Sequence, residues 1–227
     1  LPISQPPPAE SRRHTGAARP AILAAATLLA TGVAWQTCTG LSLALIGGGG
    51  VADGDGAHRI VDVPNPWFHH EQCGLPEKGW LCDQDFHLSK KGREKAMDVM
   101  VATREQTSVK CPTGMRGFQL AVAVIDRMHE DEWIDGSREK TAKHYAQEIG
   151  DRWMVGDAGC SNGILLFLSI GDRFAYIKTA AKSRELLTDK VADQVVENMK
   201  PLLRATNYDD AVLQALLQIH DVIKGEP

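Results

Sequence analysis

The chain has 227 residues, a formal net charge of −4 and an ordinary globular composition, 43% hydrophobic and 24% charged. That length allows one domain with extensions, or at most two small ones. The acidic balance argues against a nucleic-acid binder, which needs a basic face.

Leu1 to Pro20 is rich in Pro, Ser, Ala and Arg and is expected to be a disordered leader. Ala21 to Ala52 contains no charged residue, and Arg12, Arg13 and Arg19 precede it. Ala21–Leu45 is long enough to span a bilayer. Residues 21–46 are therefore expected to be a signal peptide or an N-terminal membrane anchor, with the remainder exported. The Gly47–Gly50 run and Asp53-Gly54-Asp55-Gly56 make residues 47–60 read as a flexible linker. The folded domain is expected over residues 61–225.

Within it, Val61 to Asp85 reads as loop, being punctuated by Pro64, Pro66, Gly74, Pro76 and Gly79. Leu88 to Gln106 reads as a helix capped by Ser89, with Ala96, Met97, Met100 and Val101 forming its apolar stripe. Gln119 to Ile125 is a buried strand that ends in Asp126, and Ser137 to Trp153 is a second helix. Ile164 to Ile170 is nearly all apolar, whereas Phe174 to Thr179 alternates. With Gly171-Asp172-Arg173 between them, the two form an antiparallel hairpin. Ala180 to Leu187 reads as a connection. Thr188 caps a third helix, which Pro201 is expected to end or kink near Lys200. Asn207 to Ile223 is the last helix, closed by Gly225. This order predicts an α/β fold, a mixed sheet with helices on both faces.

There are five cysteines. Cys38 lies in the apolar segment. Cys73, Cys82, Cys111 and Cys160 lie in the folded part and allow three pairings. No CxxC pair is present, which removes a zinc knuckle, and an apolar leader favours two disulfides in an oxidising compartment.

The chain has no GxGxxG, P-loop or GxSxG motif. Cys111 to Arg116 is one residue short of the Cys-x5-Arg phosphate cradle and reads as a disulfide cysteine before a turn. Asp83-Gln84-Asp85 resembles the start of a haloacid-dehalogenase motif, but it reads as loop rather than strand end. His69-His70 reads as a solvated pair, since adjacent residues do not share a face. The carboxylates carry more chemistry. Asp126, Asp157, Asn162 and Asp189 all stand at element ends, and ligands of α/β sheets bind at strand ends. Hard oxygen ligands of this kind suit calcium or magnesium. The competing reading is turn chemistry and capping.

Several of these pieces together resemble a known family. They are Leu81-Cys82-Asp83-Gln84-Asp85 ahead of Leu88-Ser89, Asp151-Arg152-Trp153-Met154-Val155-Gly156, and Cys160-Ser161-Asn162-Gly163 with the strand behind it. Asp172-Arg173, Leu187-Thr188-Asp189 and Met199-Lys200-Pro201 complete the pattern, from about Val63 to Ile223. The sequence is similar to the TPM domain, found in plant thylakoid proteins, bacterial membrane proteins and the animal modulator of levamisole receptor. Val63-Pro64-Asn65-Pro66 and the cysteines resemble the animal branch most. The resemblance implies a TPM-type α/β/α sandwich and an exported domain tethered to a membrane. For the animal branch it implies Cys73–Cys82 and Cys111–Cys160 disulfides and an extracellular auxiliary protein of a nicotinic-type acetylcholine receptor channel. For the plant branch it implies a divalent-metal-binding acid phosphatase of the thylakoid lumen. The glycine-rich segment that often follows the hairpin is replaced here by Ala180-Ala181-Lys182-Ser183-Arg184.

Overall fold

The computed structural model describes residues 56–225. The expected leader, the apolar segment Ala21–Leu45, Cys38 and most of the linker lie outside the described residues. Among the described residues no helix is long and apolar enough to cross a membrane.

The central sheet has four strands, in the order β2 (Leu81–Asp83), β5 (Gln119–Ile125), β7 (Gly163–Ser169) and β8 (Phe174–Thr179). β2, β5 and β7 run parallel, and β8 turns back antiparallel. The register pairs Gln119 with Gly163 and Ile125 with Ser169, so β5 and β7 start and end level. Two short pairs flank the sheet. β1 (Ala57–His58) lies parallel to β6 (Arg127–Met128), and β3 (Val109–Cys111) forms a hairpin with β4 (Gly114–Arg116).

β5 and β7 are buried on both faces, as continuous apolar runs require. Their residues alternate between two cores. Leu120, Val122, Val124, Ile164, Leu166 and Leu168 face the first. It is closed by α1 (Lys90–Gln106), α4 (Asp189–Arg204) and α5 (Tyr208–Lys224). Ala121, Ala123, Ile125, Leu165 and Phe167 face the second, which is covered by α2 (Arg138–Arg152) and by Ile60, Val63 and the Cys73–Cys82 bridge. The expected α/β architecture, a mixed sheet between helices, is the one observed.

Local chemistry places the helices. Ser89 caps α1 by accepting the Gly92 N–H at 3.0 Å, and its own N–H and hydroxyl donate to Asp209, which ties α1 to the start of α5. Ser137 and Thr188 cap α2 and α4 in the same way. Gly225 ends α5 with φ of +78°, a left-handed conformation that glycine adopts freely. α4 continues through Pro201 to Arg204, beyond the expected stop near Lys200. Pro201 sits exposed in the last turn, and its carbonyl still accepts the Ala205 N–H. Three further differences are short elements. Leu81–Asp83 is a strand rather than loop, Val109–Arg116 contains a hairpin, and the connection after β8 forms α3 (Ala181–Leu186). α3 is held to the foot of β7 by the Ser183 hydroxyl, which donates to the Gly163 carbonyl at 3.1 Å.

Both disulfides join Cys73 to Cys82 and Cys111 to Cys160. The second ties the β3–β4 hairpin to the entry of β7.

Candidate functional site

The carboxyl ends of β2, β5 and β7 lie along one edge of the sheet, and polar groups collect there. Asp83 ends β2 with its side chain fully buried. It accepts the backbone N–H groups of His87 and Leu88, both at 2.9 Å, and faces Arg93 at 3.1 Å. Burial pushes the Asp83 carboxyl above its ordinary range, against the pull of those two N–H groups and of Arg93. Arg93 also donates to the carbonyls of Gly74 and Leu88. This group is a structural clamp that fixes the turn between β2 and α1.

Beyond it the groups are more open. Gln84 Nε2 sits against His58 Nδ1, so Nδ1 accepts and Nε2 donates to Asp85 Oδ1 at 2.9 Å. Asp85 Oδ2 accepts the Asp126 N–H at 2.8 Å. Burial is the largest influence on Asp85 and raises its pKa. The His58 bond and charge, the Asp126 N–H and the nearby His87 outweigh it, and the net shift is downward. Asp126 itself lies 3.5 Å from His87 Nε2 and 3.4 Å from Arg127 Nε, longer than a good hydrogen bond. His87 Nε2 is buried without a hydrogen-bond partner. Asp172, in the β7–β8 turn, accepts the Ser169 hydroxyl at 2.6 Å and the Met128 N–H at 2.8 Å. The edge thus carries one engaged carboxylate–histidine pair, Asp85 with His58, and one loosely held pair, Asp126 with His87. Such pairs can hold or move a proton.

A folded pKa of Asp85 below its unfolded value of 3.8 gives stability that is present above that pH and lost as pH falls through the depressed value. Asp85→Asn is expected to flatten the acid limb of the stability curve below about pH 4. Chemical denaturation at pH 2.5, 3.5 and 6 would check this, and an unchanged acid limb would remove the pair from the account.

The residues expected to share a cation are divided by this geometry. Asp126 stands at the carboxyl end of β5. Asp157 and Asn162 precede β7 at the opposite edge, roughly 20 Å away along seven-residue strands. They do meet each other: Asn162 Nδ2 donates to Asp157 Oδ2 at 2.9 Å, and Asn162 Oδ1 accepts the Asp157 N–H at 2.7 Å. Arg104 faces Asp157 at 3.3 Å. Asp189 opens α4, largely exposed, beside Arg184 at 3.2 Å. The four do not fit around one calcium or magnesium ion, which needs six or more oxygens in one shell. Among the described residues, no group of three or more His, Cys, Asp or Glu side chains converges in a way that would hold a metal.

His58, Asp85 and His87 are absent from the sequence-based site. The signal is Asp83-Gln84-Asp85, which in the sequence reads as loop rather than as a strand end. The motif does close a strand, with Asp83 at its end.

The opposite edge is apolar. Trp67, Phe68, Trp80, Trp153 and Met154 line one groove of about 320 Å³. Trp67 and Trp80 have ring centroids 5.6 Å apart, and Arg104 lies over Trp80. Phe68 is 65% exposed, Trp67 43% and Met154 70%. Val61 is 66% exposed, and its carbonyl accepts from Arg152 at 3.1 Å. Met154 holds φ of +53°, a strained conformation for a non-glycine residue.

Comparison with known proteins agrees with this architecture. The N-terminal domain of a protein from P. gingivalis, solved by NMR, superposes with a TM-score of 0.55 at 19% identity, covering 74% of this chain and 93% of that one. BA42 protein from Bizionia argentinensis matches with a TM-score of 0.46 at 10% identity, covering 60% and 81%. The first likeness shows a shared fold and nothing further. A comparison with curated proteins finds no match. At the level of sequence family, residues 114–222, from the β3–β4 hairpin into α5, match the family model described as the TPM domain.

Proposed function

We propose that this chain is an exported TPM-domain protein, tethered at a membrane through Ala21–Leu45. In this reading it acts as an auxiliary subunit of a membrane protein complex, on the extracellular or lumenal side. The partner class follows the sequence resemblance, a nicotinic-type acetylcholine receptor channel. The observation that supports the reading is the exposed face of Trp67, Phe68 and Met154. Tryptophan and phenylalanine exposed in a group are the residues that anchor protein interfaces. Two disulfides suit the compartment.

The test is co-purification of the full chain with such a channel, expressed together in one cell. Trp67→Ser with Phe68→Ser should lower the melting temperature only modestly, because Phe68 is 65% exposed and Trp67, packed on Trp80, is 43% exposed. It should cut the recovered complex at least fivefold. Equal recovery of a folded double variant would overturn the assignment of this face.

A second reading rests on the other edge. Asp126 with His87, beside Asp85 with His58, favours the acid phosphatase implied by the plant branch, with a thylakoid-lumen location. Hydrolysis of p-nitrophenyl phosphate would be measured with calcium, with magnesium and with chelator. Activity lost in Asp126→Asn and His87→Gln would support this reading, and activity unchanged in both would remove it.

A further inference from the structure

A cavity of about 560 Å³ opens at the carboxyl end of β7. Its volume is within the range of small-ligand sites. Three of its lining residues are cations, Arg173, Lys200 and Arg204, and none is an acid. The nearby carboxylates are turned away or engaged. Asp172 is buried on Ser169 and the Met128 N–H. Asp209 accepts from Ser89, and Asp210 accepts from Asn207. Lys200 has Glu197 beside it, one turn back on α4 and outside the lining. The remaining wall is largely apolar and aromatic, with Ile170, Phe174, Leu203 and Tyr208.

Backbone strain coincides with this cavity. Arg173 holds φ of +58° and Thr206 φ of +57°, and both line it. Each sits at a turn where glycine would cost nothing: Arg173 in the β7–β8 hairpin, Thr206 between α4 and α5. Strain of this kind collects at functional sites.

We propose that this cavity binds a peptide segment in which a carboxylate stands next to an apolar side chain. Two guanidinium groups offer planar forks that match carboxylates two bonds at a time. The apolar wall is too extensive for a bare inorganic anion and takes the neighbouring side chain. The site lies at the opposite sheet edge from the Trp67–Phe68 face, so it goes beyond the reading above and does not depend on it.

The probe is the blocked tetrapeptide acetyl-Asp-Leu-Glu-Phe-amide, titrated into the full chain by calorimetry. Its amide counterpart, acetyl-Asn-Leu-Gln-Phe-amide, and phenyl phosphate are run alongside. Saturable binding of the acidic peptide is expected, at least tenfold tighter than that of the amide peptide, and weakened by salt. Arg173→Gly separates binding from folding. It relieves the strained turn, so the melting temperature should hold or rise, while affinity for the acidic peptide falls at least fivefold. Arg204→Gln should lower affinity similarly. Equal binding of the two peptides, or full affinity in Arg173→Gly, would overturn the proposal. So would saturation by phenyl phosphate with none by the acidic peptide, because the site would then be one for phosphate esters.

Discussion

Asp83→Ala is expected to destabilise the domain by about 3–5 kcal/mol, the usual cost of removing one partner from a buried ion pair. Asp83 is fully buried, and Arg93 is 8% exposed. Without the carboxylate, the guanidinium keeps the Gly74 and Leu88 carbonyls but loses its acidic partner, and two N–H groups lose their acceptor. Urea denaturation gives the number directly. Asp83→Leu combined with Arg93→Met should lose less than the single variant, because no charge is left stranded. A single variant within 1 kcal/mol of the parent would mean that water reaches Arg93, and the clamp would lose its structural role.

The second large effect concerns the longer disulfide. Cys111→Ser with Cys160→Ser opens a loop of 49 residues, and chain entropy puts its cost at about 4 kcal/mol. Cys73→Ser with Cys82→Ser opens one of 9 residues, for roughly 2.5 kcal/mol on the same basis. Thermal melts of the two double variants under non-reducing conditions should therefore separate, with the Cys111–Cys160 variant lower. The reverse order would show that packing around the buried Cys73–Cys82 bridge outweighs the entropy of the unfolded chain.

Much of this fold was legible because its strongest signals are long. Gln119–Ile125 and Ile164–Ser169 are apolar on both faces, and such runs in a chain with amphipathic helices leave few architectures. The caps Ser89 and Thr188 were visible because a hydroxyl stands just before each helix. β2 was not visible: three residues carry no period, and the prolines before it point to loop. That one omission hid the site. Once Leu81–Asp83 is a parallel strand, Asp83 and Asp85 fall beside Asp126. His58 arrives there only through the β1–β6 pairing, a contact between residues some 70 positions apart that no local pattern encodes. The expected cation ligands were divided for the complementary reason. Element ends occur at both edges of a sheet, and a sequence does not say which edge until strand directions are known.

The order of the central sheet has a consequence for how the chain assembles during synthesis. β2, β5, β7 and β8 appear in sequence order and lie in that same order across the sheet. Each strand can therefore add to the open side of those already made, and none has to be inserted between two others. The helical layer over the first core behaves differently. α1 is made early and packs on β2 and β5, but the flank it turns to α5 stays uncovered until that helix arrives, when Ser89 meets Asp209 and Thr103 meets His220 at 3.0 Å. A nascent chain would thus hold a zipped sheet with part of its first core open to solvent until its last helix emerges, a state that invites aggregation. The final seventeen-residue helix is the lid on that interval.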